Sequence, residues 1–444
     1  MDKMKFLFCS VILFAGALFL SGQSWADEMP LMAAADVGQP AMSSDIAAPV
    51  VQPPEEIARL RIKPTFKYSA AMTSNPTLAN TSANDNKYRL TQNITPGVIA
   101  QIPLDRAYAE MGYEYGYYKV AGYKGKGMHS GKGLFRYDIS ETTSLGFEDN
   151  YTTAATDFAA DKKYEMNIAT ASLKKQFGNR LSSGLDYSFT KFNGPSGTQN
   201  SDYNENAGIW KSDFRLSPIT TLNPSFTYRA REFTYDSLVK DKKNYDAYEF
   251  TLGISQQLLK HLTAFLNGGY TQRSYKTGGN EKEATYGAGL AARLTNFSNL
   301  RMDYQHSVQD TFYGLDQETT TVFANSPFLN NENIATLIDS EYRSIIVDRI
   351  TSNLNLRLTD KDTIDVGFLY LWSNSSSSNG VTPSTLNDAN LKEQAYSIGL
   401  GYSHYITKWV SLGVNSAYGS RRSKTRGNYN YKSFGGAVNL NVSF

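Results

Sequence analysis

The sequence predicts an all-β chain folded as a transmembrane antiparallel β-barrel of eighteen strands, with sixteen as the fallback count, behind a periplasmic N-terminal tail. Three observations carry the prediction. Apolar and polar residues alternate with period two in segments of about 10–14 residues. Tight turns and long polar connections take turns along the chain. The last segment is apolar on one face and ends on Phe444.

In chain order, residues 1–26 have the layout of a secretory signal peptide. Lys3 and Lys5 precede an apolar run from Phe6 to Leu20, and Ser24-Trp25-Ala26 puts small residues around a cleavage point. The one cysteine, Cys9, lies inside that run and ahead of the cleavage point, so it is no lipid anchor. Residues 27–59 are rich in Ala, Pro, Asp and Met and show no sustained period, which predicts a flexible periplasmic tail. Residues 60–444 make the barrel. They contain no second run of about 18 apolar residues, so helical insertion in a membrane is excluded.

The closing strand shows the pattern best: Phe434, Gly436, Val438, Leu440 and Val442 share one face, and Ser433, Gly435, Ala437, Asn439 and Asn441 share the other. Ile364 to Trp372, Tyr396 to Tyr402, Leu300 to Tyr304 and Ala109 to Tyr117 alternate in the same way. A soluble sandwich also alternates, but its strands run to about 5–6 residues, whereas crossing a bilayer at a tilt takes about 9–11. Tight turns fall near Leu104, Glu141, Asn179, Pro218, Lys260, Phe297, Lys361 and Lys408. Longer connections fall near 73–86, 122–130, 157–163, 194–202, 236–244, 277–282, 310–341, 374–391 and 422–428. Short turns at one end and long loops at the other are the asymmetry of outer-membrane barrels. Residues 142–176 alternate poorly, hence the fallback of sixteen.

Charge is nearly balanced, with 44 Lys+Arg against 42 Asp+Glu, so no nucleic-acid partner is implied. Four His and the single Cys leave little material for a metal centre, and no catalytic, cofactor or metal residues are assigned. Parity places Arg215, Arg229, Arg231, Arg293, Arg301, Asp303, Arg349 and Arg357 on the inner face as pore-lining candidates. Four of them, Arg215, Arg293, Arg301 and Arg357, stand beside short turns and predict a basic arc at the periplasmic mouth. Such an arc is either a selectivity ring for anions or a charge network with Asp213, Asp303 and Asp365. Inward Tyr108, Tyr118, Phe233 and Tyr275 offer stacking surfaces or pack inside the wall, and the connection 310–341 either narrows the pore or stands outside it.

Other constellations fail. Gly125 to Gly133 misses the phosphate-loop spacing, because Lys126 and Gly133 occupy required positions. Asn84-Asp85-Asn86 lacks the spaced acids of a calcium loop. Ser403 and His404 are neighbours on a strand and point to opposite faces, and both His306 and His404 face outward near an interface. The chain is therefore not expected to be an enzyme.

Arg61-Ile62-Lys63-Pro64-Thr65-Phe66-Lys67-Tyr68, the exit Met72-Thr73-Ser74-Asn75-Pro76, and Tyr88-Arg89-Leu90-Thr91-Gln92-Asn93-Ile94-Thr95-Pro96-Gly97-Val98 follow one another at the start of the barrel. This opening resembles a β-barrel porin family associated with exopolysaccharide export, which pairs an Asn-Pro loop after strand one with a Pro-Gly in strand two. The resemblance implies an outer-membrane pore for polysaccharide or another polar cargo, in a Gram-negative bacterium. A general diffusion porin and a barrel sheathing a partner protein are the alternatives. The expected partners are outer-membrane lipid and lipopolysaccharide, the barrel assembly machinery through Phe444, and polysaccharide-export proteins.

Overall fold

In the computed structural model of the chain, the described residues are 60–74, 88–157, 162–193, 202–234, 244–276, 280–295, 297–310, 344–374, 392–423 and 431–443. Residues 1–26 and 27–59, where a signal peptide and a tail are expected, Asn84-Asp85-Asn86, nearly all of the connection 310–341 and Phe444 lie outside them.

Among the described residues every regular element is a strand. In chain order these are β1 (Arg61–Thr73), β2 (Arg89–Pro103), β3 (Ala107–Val120), β4 (Lys126–Ser140), β5 (Thr143–Asp157) and β6 (Lys162–Phe177). Next come β7 (Leu181–Asn193), β8 (Tyr203–Ser217), β9 (Thr220–Phe233), β10 (Tyr245–Leu259), β11 (Leu262–Tyr275) and β12 (Asn280–Thr295). The last six are β13 (Ser298–Asp310), β14 (Ser344–Arg357), β15 (Asp362–Asn374), β16 (Lys392–Tyr405), β17 (Val410–Ser423) and β18 (Tyr431–Ser443). Each pairs antiparallel with the next, and β1 pairs with β18, so the eighteen strands close into a ring without an edge. Closure gives every strand a partner on both sides, which a sheet in an apolar medium requires.

The registers fix the size of the ring. Followed through all the pairings, the ladder returns to β1 displaced by about 22 residues. With strands about 4.8 Å apart and a rise of about 3.3 Å, that stagger tilts them by about 40° and sets a backbone radius of about 17–18 Å. The ring is too wide for wall side chains to meet across it.

Parity sorts side chains as the sequence predicts, and registration keeps one face continuous from strand to strand. Ile62, Met111 and Leu266 stand 62%, 71% and 58% exposed on the outward face, with Val98, Phe147, Phe250, Leu400 and Val438 around them. So large an apolar surface, running round the whole ring, suits lipid and not water. The eight tight turns join β2 to β3, β4 to β5, and each later pair in step, all at one end. Four of these hairpins carry a register shift beside the turn: Asp138/Ser140, Arg215/Ser217, Gln257/Leu259 and Arg293/Thr295. One extra residue there bends the strand into a very short turn. The β6–β7 turn uses Gly178 at φ 61°, a conformation that costs other residues more.

Eighteen strands is the count expected first, and residues 142–176 supply two of them. Their weak alternation has a cause. On β6 the inward residues are Met166 and Ile168 while Asn167 points outward, and Met166 packs on the inward cluster of Phe192, Tyr203 and Phe233. Where the inner wall is itself apolar, polarity no longer tells the faces apart. The connection expected over 122–130 is shorter: β4 already begins at Lys126, and its glycines 127, 131 and 133 are strand residues.

Candidate pore wall and mouths

All eight pore-lining candidates face inward. Three sectors of the inner wall differ in character. On β1 to β5 the inward bases Arg61, Lys63, Lys67, Arg89, Lys126, Lys132 and Arg136 outnumber the acids Glu110, Glu114, Asp138 and Glu148. Two pairs cross between strands: Lys67 Nζ meets Glu114 Oε1 at 2.6 Å, and Lys132 Nζ lies 4.0 Å from Glu148 Oε1. Glu110 accepts bonds from the Tyr108 hydroxyl at 2.5 Å and Gln101 Nε2 at 2.8 Å. Tyr108 is thus tied to the wall rather than presented to the interior.

The second sector, β8 to β14, is dominated by arginine. Arg293, Arg301 and Arg357 sit on the consecutive strands β12, β13 and β14 at the short-turn end, with Arg301 registered opposite Ala291 and Asn353. Arg215 stands apart on β8, so the predicted arc is a group of three with one outlier. The strands between carry uncharged Asn223, Ser255 and Thr263 near that end. Arg301 Nε bonds Asp303 Oδ2 at 2.9 Å, and its guanidinium lies 5.1 Å from the Phe265 ring centroid. Arg357 Nη2 meets Asp360 Oδ1 at 2.9 Å, while Arg215 and Arg293 make no ion pair among the described residues. Asp213 and Asp365 accept from Asn223 and Asn355, each at 2.6 Å, rather than from these arginines. Of the three expected acidic partners only Asp303 pairs with one of these arginines, Arg301, while Arg357 takes Asp360 of the adjoining turn instead. Near Arg357 a depression of about 730 Å³ is lined by Lys361, Lys408 and Tyr405 as well, which extends the basic character onto the turns.

Toward the long-loop end the same sector changes character. Arg231 is 5% exposed; its Nη2 lies 2.6 Å from Glu205 Oε2, and its guanidinium lies 4.2 Å from the centre of the Tyr203 ring. Arg229 Nε stands 3.6 Å from the other oxygen of Glu205. Phe192 stacks on Tyr203 at 5.2 Å, Phe233 tilts against it at 5.7 Å, and Tyr275 meets Tyr245 edge-on at 5.8 Å. Tyr275 donates to Glu281 Oε2 at 3.0 Å. Arg349 donates to Gln305, opposite it on β13. Arg229, Arg231 and Arg349 thus belong to packed structure, as do Phe233 and Tyr275. Glu205, the acidic partner of Arg229 and Arg231, was not singled out from the sequence, because the pairing spans β8 and β9 and needs the register.

The third sector, β16 to β18, is small-sided along the middle of its strands: Ser397, Gly399, Gly401, Gly413, Asn415, Ala417, Gly435, Ala437 and Asn439 face inward. Inward residues in the long-loop half, such as Ala417, Ser433 and Ala437, are buried, whereas those near the short turns, such as Arg301, Asn353 and Asp365, are open.

Comparisons agree with this geometry. Residues 215–326 match the model of the family described as "Putative beta-barrel porin 2", a stretch that holds Arg215, Arg229, Arg231, Arg293, Arg301 and Asp303. No curated protein sequence matches the chain. Among solved structures, the chain is similar to Pseudomonas aeruginosa OccK2 (OpdF) in complex with glucuronate. The TM-score is 0.50 at 11% identity, covering 86% of this chain and 98% of that one. It is likewise similar to the outer membrane protein opdK of Pseudomonas aeruginosa, at TM-score 0.50 and 10% identity, covering 86% and 99%. At such identities the likeness is one of fold: a porin-type eighteen-stranded barrel.

Proposed function

We propose that this porin-like barrel sits in the outer membrane of a Gram-negative bacterium, with its short turns in the periplasm, and passes polar solutes with a preference for anions. The observation that carries the preference is the excess of bases over acids on the inner wall. β1 to β5 set Arg61, Lys63, Lys67, Arg89, Lys126, Lys132 and Arg136 against Glu110, Glu114, Asp138 and Glu148. β12 to β14 leave Arg293, Arg301 and Arg357 exposed at the short-turn mouth, with half-buried Arg215 on β8. A mouth with an excess of one sign of charge concentrates the opposite ion and biases which solute enters.

Single-channel recording in planar bilayers tests the reading. Under a potassium chloride gradient the reversal potential should have the sign of an anion-preferring channel. Replacing the four mouth arginines by glutamine should move it toward zero or past it. A channel that prefers cations, or a folded barrel that never conducts, would overturn the proposal. Sugar acids such as glucuronate are suitable test permeants, being anionic and polar. Export of polysaccharide is the narrower reading, supported only by the resemblance of β1 and β2; loss of surface polysaccharide on gene deletion, with small-solute uptake intact, would favour it.

A further inference from the structure

Two side-chain clusters on the outward face repeat one design. Tyr304 and His306 lie two residues apart on β13, and His306 is registered opposite Asp348 of β14. Asp348 Oδ1 accepts from the Tyr304 hydroxyl at 2.7 Å and lies 2.8 Å from His306 Nδ1. Tyr402 and His404 lie two residues apart on β16, with His404 registered opposite Asp362 of β15. Asp362 Oδ1 accepts from the Tyr402 hydroxyl at 2.5 Å and lies 2.8 Å from His404 Nδ1.

Both clusters share the outward parity of Met302 and Leu400, where carboxylates and imidazoles are out of place unless they stand at a membrane interface. Their separation supports that position. Asp348 is registered with Trp372, and from there to Asp362 β15 runs about ten residues, which at about 40° of tilt spans about 25 Å, the height of a barrel's apolar band. The first cluster is at the long-loop end and the second beside a short turn, so they bracket the band.

We infer that the clusters around His306 and His404 are two lipid-headgroup sites, one at each membrane interface, each presenting an imidazole to a headgroup phosphate. With Nδ1 engaged by the carboxylate, Nε2 is the ring nitrogen left for a headgroup, and on an imidazolium its N–H donates to an anion. Tyrosine holds the carboxylate from the other side, and at the short-turn cluster Thr359 does so as well. His306 is further fixed by stacking on Tyr286, with ring centres 4.5 Å apart and planes 13° from parallel. His404 is 40% exposed. The inference rests on the membrane-barrel reading above.

Native mass spectrometry of the folded full-length protein, released from mixed micelles, tests it. One arm uses phosphatidylglycerol and the other a digalactosyl diacylglycerol, which has no phosphate. The wild type should retain phosphatidylglycerol well above the glycolipid. H306Q and H404Q should each lower that retention, the double variant by about tenfold, consistent with lost charge-assisted bonds. H129Q should leave it unchanged, since that outward histidine meets Tyr113 and Tyr115 instead of a carboxylate. Equal retention by the double variant, or equal retention of the two lipids by the wild type, would overturn the inference. Heat-dependent mobility on gels, read on every variant, separates this from failure of the barrel reading, in which no folded detergent-held species forms at all.

Discussion

Gly97 shows how a single residue serves the wall. A Cβ built there would lie 2.6 Å from Thr65 Oγ1, 2.8 Å from Glu114 Cγ and 2.9 Å from the Tyr113 carbonyl oxygen. The glycine is the gap across which Glu114 of β3 reaches over β2 to Lys67 of β1. Beside it, the β2–β3 ladder skips Thr95 and Pro96, as expected where proline has no N–H to give. Gly97→Ala should therefore cost about 1–3 kcal/mol, since a backbone oxygen cannot swing aside; urea unfolding in vesicles measures it, and an unchanged midpoint would refute the account. The Pro-Gly pair was visible in the sequence. Its reason was not, because Thr65 and Tyr113 come beside Gly97 only once the register exists. Residue type and parity likewise put the arginines on the inner face, yet parity says nothing of depth, so the open Arg301 and the packed Arg231 read alike.

Among elements, β16 is the clearest case of a strand written in its own sequence. Tyr396, Ile398, Leu400 and Tyr402 face out, and Ser397, Gly399, Gly401 and Ser403 face in. Leu400, 53% exposed, lies near the middle of the band. Leu400→Arg should lower unfolding free energy by about 2–4 kcal/mol in vesicles. Asn353→Arg, on an open inward position of β14, should change it far less. Equal losses would mean that the faces are misassigned. Strands such as β5 and β6 are harder to read, since Asp149 and Asn167 face outward while Met166 faces in, following neighbours distant in sequence. The outward histidines were legible as such. What the sequence withheld was the Asp that answers each, because Asp348 and Asp362 stand on the next strand.

For the whole molecule, the arrangement of charge by sector makes a prediction about ionic strength. Open guanidinium groups at a wide mouth act through water, so their field fades beyond a Debye length of about 10 Å at 0.1 M salt and about 3 Å at 1 M. The anion preference measured from reversal potentials should be largest in dilute salt and shrink steadily toward 1 M. A preference that does not vary with salt would place the selecting charges in a narrow, dry constriction instead, among groups such as Arg231 and Arg349.

Because the first and last strands are neighbours, Thr65 stands beside Ser443 and the two ends of the ring leave on the same side. The order in which the staves are strung is thus separable from their arrangement. Splicing the old ends and opening new ones at a tight turn would give a rearranged gene for an unchanged cask, with any fused domain hanging from whichever stave the engineer selects.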